Sequence, residues 1–544
     1  MNKKSLLVKS VFALAAVGAA ALFATHSSAQ DDDHSRFHFI PNSLVLSRSV
    51  YAGDASSVTV GQTLPPGCVA GNVSIPLIAG GSTSVAVTCG TAIADGTYPT
   101  VFNNDTVDGS FGITSPVFLD NITTNGKLLD TLPVPSDLLV TSFSSKSELA
   151  VHRSLDGKSI TFVGYRGGSG FVTGPNQLDV SNSNTPGVVD PSNPVVSQYY
   201  RAVAEVDPAG HIMITEGNAY SGNNGRAAIK ANSLYYLTGN NNNGGLSKSQ
   251  LSTTQVGVNL VNSTGAELLV PGQTPPLPPD ITMIGRFSVT QVGYPTADKP
   301  GKDNNFRGIT IFNNTLYVTK GSGGNGINTV YQVGTPGVLP TGDAATLASV
   351  PITIPSGFPT TLASGVALDG SSGNPVSFPF GIWFANANTL YVCDEGDGTL
   401  VSPPVNGNVA TPYSQANAGI QKWILSNGTW HLAYVLNSGL DIGVPYSIPN
   451  YPSAINPATD GCRNLIGRAN GNGTVSLYAV TSTVSASGDQ GADPNKLVKV
   501  MDQLKATTPP NGKGFGQFTT LRSARSGEVF RGIDFAPTDS GDDE

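Results

Sequence analysis

Short apolar runs separated by polar turns recur along most of this chain. The clearest is FPFGIWFANANTLYVCDEGDG, Phe378 to Gly398: one strand predicted over Gly381 to Phe384, a turn of Ala and Asn, a second strand over Thr389 to Cys393, then acids and glycines. The same order is found in ELAVHRSLDGKSITFVGYRGG from Glu148, GRAAIKANSLYYLTGNNNNGG from Gly225, FRGITIFNNTLYVTKGSGGNG from Phe306 and CRNLIGRANGNGTVSLYAVTS from Cys462, starting 77, 81, 72 and 84 residues apart. Asn-Asn, Asp-Gly or Asn-Gly between two such runs is the chemistry of a tight hairpin turn, because these residues accept the positive φ it needs. Second hairpins follow some copies, as in AGIQKWILSNGTWHLAYVL from Ala418 and RAVAEVDPAGHIMIT from Arg201. Four antiparallel strands in a recurring unit predict an all-β fold, the blades of a β-propeller.

The two ends of the pattern complete each other. FRGIDFAP, Phe530 to Pro537, repeats the first strand of FRGITIF without a second strand, and NSLVLSRSVYAG from Asn42 resembles the missing partner. With PVFLDNITTNGKLLDTLPV from Pro116 as outer hairpin, these segments predict one blade closed by strands from both ends, which removes the open edges of the ring. Six blades are favoured, and Ile281 to Gly293 would supply a seventh.

The sequence from strand and turn through Leu-Tyr-Val, polar loop and Gly-Ile-Gln-Lys-Trp resembles the NHL-repeat type of blade and, more loosely, the gluconolactonase and senescence-marker-protein propellers. The resemblance is carried by the copy at Phe378 and more loosely by the other four. It implies a propeller, and for the second family a metal-assisted hydrolysis of esters or lactones. In NHL-type blades an acid at the position of Asp394 bonds neighbouring backbone.

Residues 1–29 combine Lys3, Lys4 and Lys9 with an apolar run over Val11 to Ala24 and end in Ser27-Ser28-Ala29, the pattern of a secretory signal peptide cleaved after Ala29. Residues 30–544 are then a single exported propeller domain, secreted or periplasmic, without a stretch of the ~20 apolar residues a spanning helix needs. Cleavage takes three lysines and no acid, moving the formal net charge from -8 to -11. No basic footprint for nucleic acid is present. The cysteines, Cys68, Cys89, Cys393 and Cys462, suit an oxidising compartment. Cys68 and Cys89 are expected to pair within an insertion over residues 53–94; Cys393 and Cys462 either pair or stay as buried thiols.

Candidate chemistry is sparse. Five histidines remain after residue 29, with no HExxH spacing, and no GxSxG turn occurs. Oxygen-rich loops, among them Phe102 to Ser110 and Cys393 to Gly398, offer ligands for calcium, and Glu148 and Asp394 are the candidate acids. Equally, Asp, Asn and Gly are what turns require. Arginine at the start of first strands is the sharper signal: Arg226, Arg307, Arg463 and Arg531, with Asn224 and Asn304 just ahead of two of them and Lys320 on a neighbouring loop. In a propeller these positions gather on one face around the channel. They predict either an anion site or a repeated clamp between blades. Three functions follow: binding of a small anionic or carbohydrate-like ligand or an extracellular protein at the arginine-lined face; a calcium-assisted esterase or lactonase using Glu148, Asn224, Asn304 and Asp394; or a matrix or surface-adhesion protein.

Overall fold

In the computed structural model, which describes residues 37–51, parts of 61–91, 114–167, 184–186, 198–240, 258–262, 282–295, 305–321, 326–365, 377–398, 417–485 and 491–540 apart from a few single positions, the repeats become antiparallel sheets. Blade 1 has the order Glu528–Phe535, Leu44–Val50, Val117–Ile122, Leu128–Val134, so the last strand of the chain pairs with the first, Leu44 opposite Phe535 and Val50 opposite Glu528. Blade 2 is Gly225–Ala231, Leu234–Gly239, Val258–Asn262, Thr282–Ile284. Blade 3 is Ile309–Phe312, Thr315–Lys320, Thr329–Val333, Ile352–Thr353. Blade 4 is Pro379–Asn386, Thr389–Asp394, Gly419–Ser426, Thr429–Leu436, and blade 5 is Ala458–Ala469, Thr474–Val484, Lys496–Gln503, Thr519–Ser523.

Five blades, not six or seven, have this four-strand form. The copy beginning at Glu148 departs from it and builds a six-stranded sheet between blades 1 and 2. Its first strand is broken: His152–Arg153 pairs with one end of Ile160–Arg166, while Leu139–Ser142 pairs with the other through Val140 opposite Tyr165. Leu149, at φ 62°, turns the chain away where a continuous inner strand would run. The segment that would have supplied a seventh blade is instead the outer strand of blade 2, Thr282–Ile284, followed by a short 3-10 turn.

Leu-Tyr-Val works through the two-residue period of a strand, which sends alternate side chains to opposite faces. Leu316 and Val318 of blade 3 enter the core shared with blade 2, beside Tyr236 and Phe306. Tyr317 turns the other way, 4.7 Å from the ring of Phe384 in blade 4. Blade 4 repeats the rule, with Leu390 and Val392 facing blade 3 and Tyr391 facing blade 5. The hairpin turns match their residues: Asn313 and Asn314 have φ 46° and 55°, and Asn427-Gly428 has 51° and 75°.

The insertion after blade 1's second strand makes two small strand pairs, Gly71–Pro76 with Ser82–Val87 and Thr63–Leu64 with Gly90–Thr91. Cys89 is disulfide-bonded; Cys68 lies outside the described residues, as do residues 1–36 with their expected signal peptide and cleavage position. No helix among the described residues is long and apolar enough to cross a membrane.

Candidate functional site

The rim where first strands begin and second strands end is held by a repeated hydroxyl staple. Thr319 of blade 3 accepts from the backbone N–H of Gly308 at 2.9 Å and donates to the carbonyl of Phe380 in blade 4. Ser47 of blade 1 accepts from Gly532 N–H at 2.8 Å and donates to Leu149 O of the six-stranded sheet at 2.7 Å. Thr161 reaches Ala228 O at 2.6 Å, and Thr238 reaches Arg307 O at 3.1 Å. The glycine that follows the arginine belongs to this device, since a Cβ on Gly308 would overlap the carbonyl oxygen of Phe380. Between blades 4 and 5 the staple is covalent. Cys393 stands where LYVT of blade 3 has Thr319, and it is bonded to Cys462 of blade 5, with Cα atoms 5.3 Å apart. The open choice between pairing and free thiols is thus settled as pairing.

All four arginines are buried, 4 to 5% exposed. Arg463 and Arg531 bind across sheets. Arg463 Nε donates to Glu395 of blade 4 at 3.0 Å. Arg531 donates to Ser49 at 3.0 Å and, through its two terminal nitrogens, to the carbonyls of Ser145 and Phe143. Arg307 sits with its guanidinium carbon 5.7 Å from the centre of the Phe380 ring, and its backbone N–H bonds at 2.7 Å to the carbonyl of Thr319, the residue before Lys320. Lys320 is fully buried and donates to Asn328 at 3.0 Å. Arg226 enters blade 2 next to Gly225, which pairs with Gly239, and the adjoining Asn240 N–H bonds Asn224 O at 3.0 Å. Asn304 lies outside the described residues.

The candidate metal acids have separate protein partners. Glu148 accepts from Thr141 at 2.7 Å, Ser142 N–H at 3.1 Å, Asn224 at 2.8 Å and Tyr165. Asp394 accepts from Ser377 at 2.9 Å, Gln421 at 2.9 Å, and the N–H groups of Phe378 at 2.8 Å and Gly396 at 3.0 Å. That is the backbone-bonding role the blade resemblance implied for Asp394. Desolvation lifts its pKa to about 7 against the pull of these donors. Among the described residues no group of three or more His, Cys, Asp and Glu side chains is arranged to hold a metal ion. The Phe102 to Ser110 loop lies outside the described residues.

Residues that the repeat pattern passed over share this rim. Arg201 donates to Asn223 O at 3.1 Å and to Tyr199 O at 3.1 Å and lies 5.2 Å from the centre of the Tyr165 ring. Arg166 pairs with Glu216 at 3.0 Å. Neither stands at the start of a first strand, so no periodicity marks them.

His152, on the broken inner strand, has its Nε2 shut off from solvent and without a hydrogen-bond partner, and burial lowers its pKa to about 4. Between about pH 6.5 and 4 the unfolded chain takes up a proton that the folded chain refuses, so acidification there removes up to about 3 kcal/mol of stability. Asp394, with its raised pKa, acts with the opposite sign between its ordinary value and about 7. Comparison with His152→Gln isolates the histidine: the stability difference between wild type and variant, read from urea unfolding, should shrink by about 3 kcal/mol from about pH 7 to about pH 4. A difference flat with pH would remove His152 as the titrating group.

No known family profile matches the chain, and no curated protein matches it. Solved structures are similar only at a distance. The Pyrococcus horikoshii acylaminoacyl peptidase has 7% identity and a TM-score of 0.29 over 90% of this chain, which spans about half (52%) of that one. A Saccharomyces cerevisiae Dbp5 complex with Nup159 and Gle1 has 6% identity and a TM-score of 0.27, covering 81% of this chain and 94% of the other. Cobalt-substituted Synechocystis ACO has 10% identity and a TM-score of 0.20, covering 87% and 66%.

Proposed function

We propose that this chain is an exported β-propeller binding protein whose ligand is a small anionic or sugar-like molecule met at the arginine-lined rim, on the side where blades 2 and 3 begin. The observation that supports this reading is that Arg307 and Lys320 fall at the same end of the first hairpin of blade 3, with Arg307's carbonyl tied to Thr238 of blade 2. Two cations at one strand end, on a chain of net charge -8, form a local exception to its acidity. Arg463 and Arg531 are assigned to clamping, because Glu395 and two backbone carbonyls occupy them. Arginine keeps its charge at any working pH, and its planar fork matches carboxylate, sulfate or phosphate. The calcium-assisted esterase reading is weaker, since Glu148 and Asp394 each already accept four protein hydrogen bonds.

Titration of wild type and Arg307→Ala with glucuronate, galacturonate and glucose 6-phosphate tests the reading. Loss of a hydrogen bond to a charged ligand should weaken binding by roughly 1.5 to 3 kcal/mol, with little change in melting temperature. A clear drop in melting temperature with unchanged binding would make Arg307 a third clamp.

A further inference from the structure

A second concave region lies on the outside of the ring, at the seam where blade 1 closes against blade 5. It encloses about 260 Å³ and is lined by Arg48, Asp120, Leu128, Arg522, Arg525 and Glu528. Strand alternation makes it: Ser47 and Ser49 face the staple and clamp of the rim, so Arg48 between them faces the other way, toward blade 5. The outer wall is fixed by the turn of blade 1's outer hairpin, where Gly126, at φ 84°, presses on Leu521 so closely that a Cβ would overlap it. Lys499 donates to Thr124 O in the same turn at 3.4 Å.

The charges of this cavity are unevenly used. Arg48 is saturated, with Asp120 taking two of its nitrogens at 3.0 and 3.1 Å and Glu528 a third at 2.9 Å. Thr131 also donates to Asp120, at 2.9 Å. Arg522 is not saturated. Its closest acceptors are Gly126 O at 3.5 Å and Asp120 at 3.8 Å, and its Nε is buried without a hydrogen-bond partner. Arg525 follows on the exposed link to the closing strand, where its backbone N–H donates to the Glu528 carboxylate at 3.1 Å and its carbonyl accepts from the Glu528 N–H at 2.9 Å, so its bonds to Glu528 are made by the backbone. The Arg522 side chain is a quarter exposed, so its terminal nitrogens, like the exposed Arg525 side chain, are open to an acceptor from solution, while the buried Nε stays unfilled at a cost. Three guanidinium groups against two carboxylates, with Arg48 and its two acids already matched, leave two forks directed at one cavity.

We propose that this cavity is a separate binding site for a phosphorylated or sulfated group of about monosaccharide size, held by Arg522 and Arg525, and that its occupant ties blade 5 to the closing blade. Both arginines present planar donor forks suited to a tetrahedral oxyanion. The volume exceeds what a bare oxyanion fills and approaches the lower end of small-molecule pockets, roughly 300 Å³. The half-exposed Leu128 gives the non-ionic part of such a ligand an apolar wall. A ligand that bridges the two blades binds only the closed ring, so it raises the melting temperature by mass action.

Calorimetric titration of the full chain with inorganic phosphate, glucose 6-phosphate and glucose tests this. Glucose 6-phosphate should bind more tightly than inorganic phosphate and raise the melting temperature, and glucose should do neither. Arg525→Gln, at an exposed position, should weaken the phosphate compounds about tenfold or more, the scale of one charged hydrogen bond. Glu528→Gln, which removes a negative charge and releases one Arg48 nitrogen, should tighten them about threefold or more, a gain that partial unfolding cannot imitate. Absence of binding at about 10 mM, an affinity too weak to be specific, would overturn the proposal. So would equal binding of glucose, or Arg525→Gln and Glu528→Gln behaving as wild type.

Discussion

Deletion of residues 528–544 should leave a chain that no longer folds to a stable ring. Glu528–Phe535 is the inner strand of blade 1, and its removal exposes the N–H and C=O groups along Leu44–Val50 as an open edge. It also strips Phe530, Ile533 and Phe535 from the core shared with blade 5 and removes Val529 as well, each of the four only 2 to 8% exposed. Large-to-small changes at single buried positions of this kind cost about 2 to 5 kcal/mol each, so losing four together exceeds the roughly 5 to 15 kcal/mol that stabilises an ordinary domain. The joint to the six-stranded sheet is weakened at the same time, because Arg531 supplies the bonds to Phe143 O and Ser145 O, and Gly532 N–H bonds the Ser47 hydroxyl that donates to Leu149 O. Aggregation on the exposed edge is the expected outcome, and a synthetic peptide spanning residues 526–540, added during refolding, should recover soluble protein by adding the strand back. Scanning calorimetry decides it: a truncated chain that melts like the parent would show that the closing strand contributes little.

That closure was legible because it needs only the two-residue period and a matching half-repeat, FRGITIF against FRGIDF. The hairpin turns and the opposed faces of Leu-Tyr-Val were legible for the same reason, being local in sequence. The six-stranded sheet was not, since ELAVHR reads as one strand until Leu149 takes a positive φ. Nor were the partners of the arginines. Glu395 lies 68 residues from Arg463, and the acceptors of Arg531 are backbone carbonyls, which every residue carries. The disulfide did leave a trace: aligning LYVT with LYVC puts Cys393 at a position whose side chain reaches the next blade. The outer cavity left none, for Arg48 and Arg522 meet only because the ring closes.

Lys422→Met should be the most damaging single substitution in the outer half of the ring. Lys422 and Asp502 are both fully buried, with 3.0 Å between nitrogen and carboxylate oxygen, and Asp502 comes from blade 5 to meet blade 4. Lys422 also donates to Gln503 O at 2.6 Å and Tyr434 at 3.0 Å, while the Tyr391 and Tyr434 hydroxyls donate to Asp502. Burial pulls the Lys422 pKa down and Asp502 pushes it back up. Methionine matches the length and packing of the lysine stem but leaves a carboxylate in the core with only two phenol donors. Removal of one partner of a buried pair costs about 3 to 5 kcal/mol, more than the pair contributes against an apolar replacement, because the cost lies in the stranded charge. The expected pattern in urea unfolding is therefore asymmetric. Lys422→Met alone should lose about 3 to 5 kcal/mol, and Lys422→Met with Asp502→Asn should recover about half of it, since a neutral amide still accepts from one tyrosine and carries no charge to desolvate. If the double variant is less stable than the single by the full cost of Asp502→Asn, the two residues act independently, and the joint between blades 4 and 5 rests on the disulfide and apolar packing.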